Sequence, residues 1–288
     1  MSPAPIAVPG GPAVVVGGAV YLLAWPTVSG DGRRTPGVLL HYDIATDRWR
    51  RAAVSAGEDD GLAVIGDRLL IYTMHGSVHD RILDETGVRE LPQDPLAPSD
   101  ARSLVPVGED RIILFARGPD DSNGERPTFI RAAELDLSTG KWRVLPKSKV
   151  VGGWQWWLTD GWLIDPETGV ADGGKVNGWG RTYAEGGIFD PEARRWLPLP
   201  TAPPLRNGRW KGPAAGGEEL LLVAGDGVLD PESGSWTRLS EPVPSLIDGR
   251  SAVWAGKGER LVAFGGAVQS GRKLVFTAQT WMWQPTGR

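Results

Sequence analysis

Residues 227 to 236, GVLDPESGSW, decide how this chain is read. An apolar run enters Asp230, Pro231 and small polar residues follow, and Gly234 precedes a closing Trp236. Asp, then Pro or a small polar residue, then Gly, is the chemistry of a tight turn between two strands. The arrangement recurs as HYDIATDRW (41 to 49), AELDLSTGKW (133 to 142) and GIFDPEARRW (187 to 196). It recurs without the Trp as RILDETGVRELP (81 to 92).

Upstream of each such hairpin lies a second one, with a short turn that is usually Gly-rich between two apolar strands. These begin at Pro12 (PAVVV-GG-AVYLLAW), Gly61 (GLAVI-GD-RLLIYTM), Ala101 (ARSLVPV-GED-RIILFAR), Trp154 (WQWWL-TDG-WLID), Trp210 (WKGPAA-GGE-ELLLVAG) and Ser251 (SAVWA-GKGE-RLVAFGG). The starts are 49, 40, 53, 56 and 41 residues apart, and six such units account for all 288 residues. Self-similarity at this period marks a repeat architecture of four-stranded units. The expected fold is all-β: a six-bladed β-propeller of four-stranded antiparallel blades, a single domain over residues 1–288. Residues 162 to 171, WLIDPETGVA, imitate the hairpin at 227 to 236 and open a seven-blade alternative, but half-units of about 27 residues are tight for four strands.

These residues resemble the kelch family, whose repeat joins a diglycine after an apolar strand to a downstream aromatic and a Trp. Gly265-Gly266 after LVAF matches the diglycine, and Trp49, Trp142, Trp196 and Trp236 match the Trp. The resemblance implies a propeller. It also implies that an Arg opening an inner strand hydrogen-bonds between blades, a residue that some kelch domains use to bind acidic peptides. The copper-radical chemistry of the related galactose-oxidase propeller needs a Cys–Tyr link, and the chain has no Cys.

Composition narrows the function classes. A net charge of −4 gives no basic footprint for nucleic acid or anionic lipid, and no run of 18 apolar residues could span a membrane. Without Cys there is no disulfide and no thiolate site; no cofactor is expected. Met1 to Gly11 lacks the regions of a secretory signal, so a cytoplasmic monomer is expected, or a secreted one had a leader been removed. Trp283-Gln284-Pro285 stands at the place of Phe189-Asp190-Pro191, leaving the sixth unit one strand short. Ala4 to Val8 are expected to close the last blade.

With strands a to d running outward, the a–b and c–d turns share one end of each blade, and the b–c and d–a connections share the other. The second end carries the long, variable loops and is the expected binding face. Inner strands open there with Asp100-Ala101-Arg102, Asn207-Gly208-Arg209 and Asp248-Gly249-Arg250. Ring symmetry would gather Arg102, Arg209 and Arg250 at the channel mouth, where guanidinium forks suit carboxylates and phosphates. The same arginines could instead serve as structural repeat residues. Of Trp154, Trp156, Trp157, Trp162, Trp179 and Trp210, most read as core, and Trp154, Trp210 and Trp179 are the aromatic candidates for stacking.

The leading expectation is therefore a propeller that binds an anionic or aromatic small molecule or an acidic peptide at this mouth. An alternative is a cofactor-free lyase, isomerase, cyclase or glycan-processing enzyme with Asp60, Asp100, Asp248 or His75 as acid or base. A third is a protein-interaction scaffold. His75 and His79 have two-ligand spacing, but with no third ligand no metal site is expected.

Overall fold

The computed structural model describes residues 2–6, 12–24, 37–57, 59–75, 79–84, 86–118, 129–151, 156–165, 175–176, 182–198, 215–216, 221–223, 227–238, 247–255, 260–270, 273–278 and 280–283. All regular structure among them is β. The first sheet comprises β1 (Ala13–Val16), β2 (Ala19–Ala24), β3 (Val38–Asp43) and β4 (Arg48–Ser55), hydrogen-bonded in chain order. The second runs β5 (Asp60–Ile65), β6 (Arg68–Thr73), β7 (Arg81–Asp84) and β8 (Gly87–Glu90). The third has β9 (Asp100–Val107), β10 (Arg111–Arg117), β11 (Ile130–Asp136) and β12 (Lys141–Val144), again in order.

The fourth sheet carries an insertion. Strands β14 (Trp157–Thr159), β15 (Trp162–Asp165), β18 (Gly187–Asp190) and β19 (Arg195–Leu197) form it, while β13 (Val150–Val151), β16 (Lys175–Val176) and β17 (Thr182–Glu185) make a small separate sheet. The segment WLIDPETGVA thus opens with the second strand of this sheet, because β15 pairs with both β14 and β18. The fifth sheet is β20 (Ala215–Gly216), β21 (Leu221–Val223), β22 (Gly227–Asp230) and β23 (Ser235–Arg238). In the last, β24 (Ile247–Ala255) pairs with β25 (Arg260–Ser270), and both β26 (Lys273–Phe276) and β27 (Thr280–Trp283) pair with β25.

Contacts divide the chain into two compact units, Met1–Asp67 with Lys211–Arg288, and Arg68–Trp210. In the first, the inner strands β20, β24, β1 and β5 lie side by side in that order. Its core packs Val20, Leu22, Leu40, Tyr42 and Val262, with Ile6 against them. In the second, β9 lies beside β6 and β14. Phe115 there stacks on Trp156 at 4.0 Å between ring centroids, with Phe189 and Trp196 around them. Each fully buried Leu or Phe contributes about 1.5–3 kcal/mol.

The Asp-led turns fold for a local reason. The Oδ1 atoms of Asp43, Asp136, Asp190 and Asp230 each accept backbone N–H bonds from residues two and three further on, and Asp84 accepts from Thr86. Four residues after the Asp the chain turns left-handed, at Asp47, Gly140, Arg194 and Gly234. Gly fits that conformation without strain. Asp47 bears it while its Oδ1 accepts the Ser2 amide and the Tyr42 hydroxyl, both at 2.7 Å.

Three closing Trp residues stitch their sheets to what precedes them. Trp142 Nε1 donates to the Pro92 carbonyl at 3.1 Å and Trp196 Nε1 to Pro146 at 3.0 Å, both carbonyls lying two residues past an outer strand. Trp49 Nε1 donates in the same way to Ser2 at 3.1 Å. Ser2 therefore occupies the place of a connection after an outer strand. The segment expected to close the last blade, residues 4 to 8, does meet the last sheet, for the Ala4 N–H donates to the Ala278 carbonyl at 3.2 Å. Residues 2–6 are not in a strand, and Ala7 and Val8 lie outside the described residues.

The turn carboxylates give the fold an acid dependence. Hydrogen bonds hold Asp43 (from Thr46), Asp84 (from Thr86) and Asp136 (from Ser138) below the ordinary value of 3.8. A depressed carboxylate contributes stability that is full above its unfolded pKa and is lost as the pH falls through the folded one. The urea midpoint is expected to decline as the pH drops below about 4, and a triple Asp→Asn substitution at 43, 84 and 136 should flatten that decline. Parallel slopes in the two proteins would show that the turns do not set it.

Candidate functional site

The Asp-small-Arg pattern proves to be a β-bulge. Ser103 lies opposite Phe115 and Asp100 opposite Arg117, so β9 spends three steps where β10 spends two. The extra residue is absorbed at Ala101, whose φ is +49°. β24 carries a bulge too, with Arg250 opposite Gly265 and Ile247 opposite Ala267, but its extra residue falls at Asp248–Gly249, so that Arg250 is itself a paired residue where Arg102 is not. A bulge re-aims the side chain beside it.

In β9 that side chain is Arg102, 1% exposed. Its guanidinium donates to Asp80 at 3.0 and 2.6 Å, to Asp94 at 3.0 Å and to the Thr73 carbonyl, while its own N–H donates to Met74 at 3.0 Å. Burial by itself would lower the Arg102 pKa, but the two carboxylates raise it, and the side chain stays charged. Asp80 precedes β7 and Asp94 lies in the connection from β8 to β9. Arg102 is thus a clamp between neighbouring sheets. Its donor fork is engaged within the protein, which corrects the expectation that it faces a ligand at a channel mouth.

Above the clamp, at the same end of the sheets, His75 Nδ1 meets Asp100 Oδ1 at 2.6 Å. The two side chains are 33% and 48% exposed. The hydrogen bond from His75 holds the Asp100 carboxyl below its ordinary range, and the charge of Arg117 acts in the same direction. An ionised Asp100 can only accept in this contact, so His75 Nδ1 is the donor. The clamp supports this pair from below, since Thr73 and Met74, which it holds by their carbonyls, lead directly into His75.

The other candidates fall elsewhere. Asp60, 6% exposed, accepts the Gly57 N–H at 2.7 Å and closes its own turn. Asp248 and Arg250 lie on β24, where only the backbone is described; Arg209, Trp154, Trp179 and Trp210 lie outside the described residues. Trp156 is 3% exposed and belongs to the core. Asp80 and Asp94 went unnoticed in the sequence, each a lone Asp in a connection without a repeated spacing. Among the described residues, no three His, Asp or Glu converge as a metal site would require.

The fold is an all-β array of four-stranded antiparallel sheets, consistent with a propeller. No protein-family model and no curated protein matches the sequence. Among solved structures the chain is similar to one titled "Structure of YjhT", with a TM-score of 0.57 over 96% of this chain and 99% of that one, at 11% identity. That likeness is one of fold.

The clamp predicts a large stability effect. Arg102→Met leaves two buried carboxylates without their cation and should cost about 3–5 kcal/mol in urea unfolding. Arg102→Met with Asp80→Asn and Asp94→Asn should recover part of the loss, and an unchanged Arg102→Met midpoint would contradict the clamp.

Proposed function

We propose that the four-stranded sheets are the six blades of a kelch-like propeller and that the chain is a binding module. The ligand, an anionic or aromatic small molecule or an acidic peptide, is held at the end of the blades where the b–c and d–a connections lie. The observation that carries this reading is the His75–Asp100 pair. Two polar side chains at that end are partly exposed and held at 2.6 Å over a fully buried support, which is how a preorganised contact surface is built. At the opposite end the Asp-led hairpin turns satisfy their own backbone donors locally. In this reading His75 and Arg117 contribute positive or donor groups, joined by Arg209 and Arg250, with Trp154, Trp179 and Trp210 offering stacking faces.

Calorimetric titration of a panel of di- and tricarboxylates, phosphates, sulfonates and a poly-glutamate peptide tests it. At least one compound should bind, and His75→Ala, Arg250→Ala and Trp210→Ala should each weaken it by about 1–2 kcal/mol. Equal affinity in all three variants would remove the proposed surface.

A second reading, a cofactor-free enzyme, is favoured by one feature. Asp100 on Nδ1 orients the His75 ring, as a general base requires. Under this reading Asp100→Asn lowers turnover of a bound compound while its Kd stays within about twofold. A loss of binding equal to the loss of turnover would return Asp100 to a binding role.

A further inference from the structure

The outer strand pairs of the first and third sheets follow one plan with one residue exchanged. In β11–β12, Asp136 lies opposite Lys141 and Glu134 opposite Arg143; in β3–β4, Asp43 lies opposite Arg48 and His41 opposite Arg50. Each of these arginines directly follows a closing Trp, at 142 and at 49. Residues two apart on a strand, and residues opposite across a pair, share a face, so each set of four lies on one face of its sheet. In the third sheet the set balances, with two cations against two carboxylates, and Arg143 donates to Glu134, which is 5% exposed. In the first sheet an imidazole stands at the place of the second carboxylate. With that ring neutral, the set of Asp43, Arg48 and Arg50 is left one positive charge in excess.

His41 is 7% exposed, and the Tyr21 ring of β2 meets it edge-on at 4.9 Å. Arg50 donates from Nε to His41 Nδ1 at 3.1 Å, and its Nη2 lies 3.2 Å from Nε2. Burial lowers the His41 pKa and the charge of Arg50 lowers it further, with Asp43 acting against them. The ring is therefore neutral at pH 7 and gives Arg50 an acceptor without a counter-charge. Asp43 is committed elsewhere, since its Oδ1 accepts the amides of Ala45 and Thr46 in its own turn. Arg48 and Arg50 are both exposed.

We infer that Arg50, with Arg48 beside it on the outer strand of the first sheet, binds a carboxylate supplied from outside the chain, in the role that Glu134 fills in the third sheet. A guanidinium fork matches a carboxylate through two parallel bonds, and one such group neutralises the excess charge. His41 under Arg50 gains a proton more readily once the anion is present and then adds a charged group to the contact. The source is a small polycarboxylate or an Asp or Glu side chain of a partner protein, which present the same group. The site lies on β3 and β4 and does not depend on the reading built on His75.

NMR of the three histidine rings, with citrate and a short polyglutamate peptide as separate titrants, tests the inference. The His41 signals should move with at least one of them and its pKa should rise in the bound protein; the titrant effective at lower concentration identifies the source. By calorimetry with that titrant, affinity should fall about tenfold in Arg50→Gln and by less in Arg48→Gln. His41→Glu, which installs the carboxylate of the third sheet, should abolish binding while the melting temperature holds or rises. Should His41→Glu fail to fold, the exposed Arg48→Gln decides by its affinity. Unmoved His41 signals, binding that persists in Arg50→Gln, or an equal response to inorganic phosphate would each overturn the inference. Shifts confined to His75 would overturn it and leave the binding reading standing, whereas a His41 response with none at His75 would do the reverse.

Discussion

A charged side chain at 1% exposure is the constraint around which the second unit is organised. Removing a guanidinium from water costs several kcal/mol unless opposite charges and good geometry offset it. Arg102 meets that requirement by drawing Asp80, Asp94 and two carbonyls toward one point. Two connections that share little sequence, β6 to β7 and β8 to β9, are thereby held in one arrangement. The bulge at Ala101 is the local backbone adjustment that makes it possible, since it turns Arg102 inward while its neighbour at 100 remains near solvent.

That division between residues 100 and 102 is also where structure passes into function. The inward residue fixes position, and the outward one meets His75. A His–Asp contact on a wandering loop would lose most of its value to side-chain and backbone entropy. Here the carbonyls of the two residues before His75 are tied to Arg102, so the order needed at the surface is supplied by groups beneath it. A bulge also interrupts β24, between Ile247 and Arg250.

Much of the architecture was legible because it is written locally. Turn chemistry at Asp43, Asp136, Asp190 and Asp230, and period-two apolar runs, set strands and hairpins without reference to distant residues. The insertion in the fourth sheet was less legible, because β15 looks like the start of a turn-linked pair and only its partner β18, 22 residues beyond its end, shows otherwise. The sequence leaves the role of Arg102 open between two possibilities, since its acids sit 22 and 8 residues away at no repeating interval. The N-terminal segment was legible in part: it meets the last sheet through Ala4, but residues 2–6 do so without forming a strand.

The Trp bonds have a consequence for how such a chain comes apart. The indoles of Trp49, Trp142 and Trp196 each reach only to the segment before their own sheet, so cohesion there passes to a neighbour in single steps, as in other repeat proteins. A disturbance at one sheet is felt first by the two beside it, and the chain can breathe locally without a global transition. Ser2 carries one of these links with its own amide, hydroxyl and carbonyl, so one short segment bears bonds that elsewhere fall to a connection following a complete sheet. Hydrogen exchange in β1 to β4 would then report on the hold of residues 2 to 6, making the start of the sequence a gauge of the first sheet's cohesion.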